Sequence, residues 1–132
     1  MNDIKHLIAR HLELATQDFL SWLALLDEHV VLHFPYAASV GAPARLEGKA
    51  AVAEAVKSFL ARVPGFRFNH LVVHPGADPD EAFATYDAEI TVPENGRLYR
   101  QKYIAHFRQR AGKLVYISEY YDPTKMHEAF GA

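Results

Sequence analysis

The sequence predicts an α+β domain in which helices, gathered in the first half, pack on one face of a mostly antiparallel sheet. Three observations carry that expectation. Apolar residues recur at three- and four-residue steps as far as Leu60, the period of an amphipathic helix. From Phe66 onward apolar and polar residues alternate, the period of a strand. Pro64-Gly65, Asn95-Gly96 and Ala111-Gly112 punctuate the chain where one pattern gives way to the next.

Ile4, Leu7, Ile8, Leu12 and Ala15 form the apolar stripe of a first helix, with Lys5, Arg10 and Glu13 between them. Thr16-Gln17-Asp18 interrupts it, and either Thr16 or Asp18 suits the N-cap of a second helix whose inward stripe is Phe19, Trp22, Leu25 and Leu26. The β-branched run from Val30 reads as a short strand stopped by Pro35, and residues 37–43 as irregular. A third helix follows Gly48 and buries Ala51, Val52, Ala55, Phe59 and Leu60. Four strands come next, over 66–73, 82–92, 97–109 and 114–121, the middle two joined by an Asn-Gly hairpin signal. Residues 124–132 read as a helical turn or a loose tail. The order is α-α-β-α-β-β-β-β, in one domain over residues 1–132.

Composition narrows the function. A chain of 132 residues buries roughly two-thirds of its unfolded surface, enough for a core or an internal cavity. A net charge of −2 lacks the basic footprint of a nucleic-acid binder. No apolar run approaches the ~18 residues of a membrane span, and acids and histidines stand near the N-terminus where a signal peptide needs an apolar stretch, so a cytoplasmic location is expected. The absence of cysteine excludes disulfides, thiol nucleophiles and thiolate metal sites.

Eight histidines and sixteen aromatic residues stand out in so small a chain. His29 and His33, and His70 and His74, are four apart, but each pair falls in or beside a strand, where that spacing separates side chains by ~13 Å. One ion cannot bridge that distance, so neither a metal nor another cofactor is expected.

Strand alternation is more informative, because neighbouring residues face opposite sides of a sheet. In the last strand Val115, Ile117, Glu119 and Tyr121 share a face; Val115 and Ile117 seek burial, so Glu119 is expected on the concave, apolar side. A carboxyl there is desolvated and its pKa rises, the condition for acid–base work near neutrality. The structural alternative is an ion pair, for example with Arg67. In the preceding strand Tyr99, Gln101, Tyr103, Ala105 and Phe107 share the concave face, while Arg100, Lys102, His106 and Arg108 make a basic outer face suited to solvent or a second copy of the chain. Trp22, Phe34, Tyr36 and His33 are further candidates for the wall of a pocket.

Asp18 to Leu26, Phe34-Pro35-Tyr36, Leu46-Glu47-Gly48 running into Val52, and Gly112-Lys113-Leu114 running into Ser118-Glu119-Tyr120-Tyr121-Asp122 together resemble the nuclear transport factor 2-like superfamily, and within it the SnoaL-like and ketosteroid isomerase-like proteins. Phe-Pro-Tyr-Ala followed by Leu-Glu-Gly is most similar to the phenazine-biosynthesis A/B branch. The resemblance implies a cystatin-like cone: three N-terminal helices wrapped by a strongly curved sheet, open at one end to an apolar pocket, and a homodimer through the outer sheet face. It does not carry the isomerase mechanism. That branch places its base, an Asp, directly before a Pro, where this chain has Phe34. Its oxyanion-hole tyrosine falls near His11 or Leu12, and its protonated Asp near Ala105 or Tyr103. The acid–base Glu of the phenazine branch matches Glu119; its pocket histidine aligns with Asn69, with His70 next to it.

The expected partner is a small, largely apolar organic molecule. In one reading the protein is a cofactor-independent isomerase, cyclase or dehydratase with Glu119 as acid/base and Asn69, His70 and Tyr103 orienting the substrate. In others it binds or senses a ligand without turning it over, or is a dimer with a vestigial pocket. A buried Glu119 without a cationic partner favours the first; filling of the cavity by Phe34, Tyr36 and Phe107 favours the last.

Overall fold

A computed structural model describes residues 3–131 of the chain. Helix α1 (Ile4–Gln17) starts where the Asp3 side chain accepts from the His6 N–H at 2.8 Å, and it buries the stripe Ile4, Leu7, Ile8, His11, Leu12 and Ala15. Helix α2 (Phe19–Leu23) is capped by Asp18, which accepts from both the backbone and the hydroxyl of Ser21. It is shorter than its apolar stripe suggests: Leu26 already opens strand β1 (Leu26–His33), which starts four residues before the β-branched run and takes in Asp27, Glu28 and His29. Chain polarity there marks an exposed edge segment, not a turn.

After a 3₁₀ turn at Ala37–Val40, strand β2 (Arg45–Glu47), which the sequence does not announce, pairs antiparallel with β1. Helix α3 (Lys49–Arg62) turns Val52, Ala55, Val56, Phe59 and Leu60 inward; Ala51, expected in that face, is exposed. Strands β3 (Asn69–Pro75), β4 (Glu81–Thr91), β5 (Leu98–Arg110) and β6 (Lys113–Tyr121) follow, and Asp122-Pro123 begins helix α4 (Pro123–Phe130). The tail is therefore helical for two turns. Asp122 caps it through the Thr124 N–H, and Phe130 anchors it against Phe59 and Tyr99.

The six strands form one curved mixed sheet in the order β2-β1-β6-β5-β4-β3, antiparallel throughout except for the parallel pair β1–β6. The sequence's α+β class with helices on one face of a mostly antiparallel sheet is this architecture. Helix α1 lies across β3, β4 and β5, and α3 against β1 and β2. The concave side of β4 is lined by Ala82, Ala84 and Ala88, all fully buried, whose small side chains let the helix approach. Among the described residues no helix is long and apolar enough to cross a membrane.

Candidate functional site

Between α1, α3, α4 and the concave faces of β5 and β6 lies a cavity of about 260 Å³. Its wall is apolar apart from His11, Trp22, Tyr99, Tyr103, Glu119 and Tyr121. Cross-strand register sets the functional wall: Tyr103 stands opposite Tyr121, Ala105 opposite Glu119, and Phe107 opposite Ile117. Alternation then sends all six to the concave side. A bulge modifies this pattern lower in the strand. Arg108 pairs with Tyr116 but Gln109 with Leu114, which leaves Val115 half-buried and turns Leu114 back into the core.

Of the candidate residues, Trp22, Phe34, Tyr103, Ile117, Glu119 and Tyr121 line the cavity. Five others do not. Ala105 and Phe107 share the right face but are fully buried beneath α1, where Phe107 meets the His11 ring edge-on at 5.6 Å. Alternation gives the side of a sheet, not how deeply a helix covers it. Tyr36 is 50% exposed, because the turn after Pro35 swings it outward onto Tyr120. Asn69 and His70 are exposed on the rim of β3. A register shift between Asn69 and Val72, with His70 at φ 59°, breaks the alternation and points the imidazole to Asp87, Nδ1 to carboxylate 2.9 Å. His33 lies on the convex face, 3.3 Å from the Tyr116 hydroxyl.

Glu119 is held by one protein group. Tyr86 of β4 donates its hydroxyl proton to Oε2, and no arginine or lysine pairs with the carboxylate among the described residues; Arg67 is exposed. Glu119 is half-buried and lines the cavity. Burial in these apolar surroundings raises its pKa to about 7, and the Tyr86 hydrogen bond opposes part of that rise. Tyr86→Phe is therefore expected to move the Glu119 titration upward, which a ¹³C-carboxyl NMR titration reads directly. An unmoved or lowered midpoint would show that the tyrosine does not stabilise the charged form.

Three features of the site escape sequence reasoning: the role of Tyr86, the pairing of the Tyr99 and Tyr103 hydroxyls, and His11. Among the described residues Tyr86 carries the carboxylate's only hydrogen bond, and its place in the Ala82-Ala84-Tyr86-Ala88 alternation was the available signal. Tyr99 and Tyr103 hold their hydroxyls 3.1 Å apart, and buried Gln101 donates to Tyr99 at 3.2 Å while bridging to the backbone of Asp122. Two hydroxyl protons and one shared bond leave one proton for a cavity ligand. His11 is the third. It completes the i, i+3, i+4 stripe of α1, which marks it as inward-facing. Its Nδ1 accepts the Trp22 indole N–H at 2.8 Å, so the neutral ring carries its proton on Nε2. Burial lowers its pKa to about 4.

A family model described as a SnoaL-like domain matches residues 8–117. The chain belongs to the SnoaL-like family. Among SnoaL-like relatives, the uncharacterised protein YesE of Bacillus subtilis is 36% identical over 115 residues, 87% of this chain and 78% of its own length. A PhzA/B-like protein of Pseudomonas aeruginosa, also uncharacterised, is 28% identical over 114 residues, 86% of this chain and 79% of its own. A crystal structure of a Bacillus subtilis protein provisionally assigned as an isomerase superposes with a TM-score of 0.87 at 32% identity, covering 97% of this chain and 93% of that one. The SnoaL-like resemblance read from the sequence is thus the family of the chain.

Proposed function

We propose that this SnoaL-like protein binds a small, largely apolar organic molecule in the cavity and catalyses cofactor-independent proton transfer on it, as an isomerase, cyclase or dehydratase. The observation that carries the reading is Glu119: a half-buried residue whose carboxyl, with no cation beside it among the described residues, lines an apolar cavity. Near pH 7 it is half ionised, so it serves as base in one step and as acid in the next. The Tyr99–Tyr103 pair supplies a hydroxyl to the oxygen on which negative charge develops when a neighbouring C–H loses its proton. Thermal-shift screening of cyclic ketones, aromatic acids and polyketide-like compounds identifies ligands. Deuterium exchange at the carbon beside the carbonyl, followed by NMR, then tests catalysis, with the rate expected to rise through pH 7. If ligands bind and none exchanges at any pH, the catalytic reading is wrong and the binding reading remains.

We also propose a homodimer through the outer sheet face. Val72, Phe83 and Ile104, at 51%, 40% and 46% exposure, lie on that face in neighbouring strands. The basic residues expected there are largely neutralised: Glu89 pairs with Arg100, and Glu81 with Arg108 and His106. An apolar strip framed by matched charges suits burial against a copy of itself. Ile104→Glu is expected to convert dimer to monomer in sedimentation velocity at micromolar concentration. A monomeric wild-type protein under the same conditions would sink the proposal.

A further inference from the structure

The groups that face the cavity, taken element by element, fix its charge. Helix α1 contributes His11, β5 contributes Tyr99 and Tyr103, and β6 contributes Glu119 and Tyr121. Tyr86 of β4 supports Glu119 from behind. The remaining elements give Trp22, Met126 and aliphatic or phenyl side chains. Among the described residues no lysine or arginine lines the cavity. The one histidine is locked as a neutral ring, because protonating Nδ1 would remove the lone pair that receives the Trp22 N–H. The tyrosines stay protonated, since burial pushes Tyr99 up to about 12 and raises Tyr86, Tyr103 and Tyr121 as well. The cavity therefore carries a charge of 0 or −1, set by Glu119 alone, and does not reach +1 at ordinary pH.

Its hydrogen-bonding balance has a sign too. One proton of the tyrosine pair and the Nε2–H of His11 lack protein acceptors among the described residues, whereas Glu119 is the one strong acceptor. A ligand that satisfies this set brings a neutral acceptor oxygen to the donors and a C–H or O–H to the carboxylate. A volume of about 260 Å³ sits just below the ~300–1,000 Å³ of drug-sized sites, which suits one or two fused rings with a short substituent.

We infer that the cavity selects by charge: uncharged one- or two-ring carbonyl compounds bind irrespective of pH, whereas carboxylates and other anions bind only together with a proton taken up by Glu119. The inference rests on the reading of the cavity as a ligand site and names the ligand class for it. The physical reason is that an anion brought into an apolar cavity beside an ionised carboxylate meets repulsion that little water screens, and finds no cation to offset it.

The test uses two compounds of nearly equal shape, 2-acetylnaphthalene and 2-naphthoate, titrated calorimetrically into the full chain at pH 5.5 and pH 8.5. The ketone is expected to bind at both pH values with affinities within about threefold, since it carries no charge to couple to Glu119. The naphthoate is expected to weaken about thirtyfold from pH 5.5 to 8.5, the factor for obligate proton uptake at a group titrating near 7. In Glu119→Gln that pH dependence should vanish; the wild-type comparison stands without the variant. If the naphthoate binds at pH 8.5 as tightly as the ketone, charge selection is overturned while the ligand-site reading survives. If neither compound binds at either pH, the ligand-site reading fails and takes this inference with it.

Discussion

Glu119→Gln is expected to slow catalysed exchange at the carbon next to a ligand carbonyl by about 10²–10⁴-fold at pH 7, with ligand affinity preserved. Glutamine keeps the shape of the side chain and can still receive the Tyr86 hydroxyl through its carbonyl oxygen, so the cavity stays intact. What it loses is the ability to take a proton. The variant should also be slightly more stable than wild type above pH 7, because the wild-type protein there holds an ionised carboxylate in apolar surroundings with a single hydrogen bond. Unchanged exchange in the variant would remove Glu119 from the chemistry and leave it a structural acid.

The second large effect is a compensation that only variants reveal. His11 titrates near 4 in the native protein and near 6.5 when unfolded. Between those values the unfolded chain holds a proton that the native one refuses. That contribution to stability is complete above pH 6.5 and is lost as pH falls toward 4, at about 1.4 kcal/mol per pH unit. Glu119 behaves in the opposite sense. Its native pKa is about 7 against 4.5 unfolded, so its contribution is complete below pH 4.5 and is lost as pH rises toward 7. Across pH 4.5–6.5 the two slopes cancel. Urea unfolding of Glu119→Gln should therefore show stability rising with pH by about 2–3 kcal/mol over that window relative to wild type, and His11→Phe should show it falling by a similar amount. Parallel profiles for all three proteins would contradict the burial of both groups in their neutral forms.

The fold was largely legible because period and punctuation agree. The α1 stripe, the alternation through β4 and β5, and the turns at Asn95-Gly96 and Ala111-Gly112 each point one way. Legibility failed where tertiary context outweighs pattern. Three residues of β2 have no periodicity to detect, and α4 was hidden because Asp-Pro ends a strand as readily as it caps a helix. In the site, alternation through Ile117 placed Glu119 on the concave face, since no bulge intervenes between it and Tyr121. The family alignment that set Asn69 and His70 at the pocket fails where a left-handed residue at a bulge inverts the faces. Tyr86 and the Tyr99–Tyr103 hydroxyl pair are contacts between side chains, and spacing along one strand does not encode them.

The position of β6 has a consequence for how the molecule is assembled. In the strand order, β1–β2 and β3–β4–β5 are two separate ribbons, and β6 alone is zipped to both. In the chain it also follows the other five strands. A nascent chain that stops short of residue 113 can form hairpins and α1, but it has no continuous sheet, no Glu119 and no closed cavity. The parallel β1–β6 seam joins segments near opposite ends of the sequence, a non-local closure of the kind that slows folding. Cavity closure and sheet completion therefore coincide, so under the proposed function a small-molecule ligand would stabilise the chain only once β6 is in place and have no purchase on a shorter one.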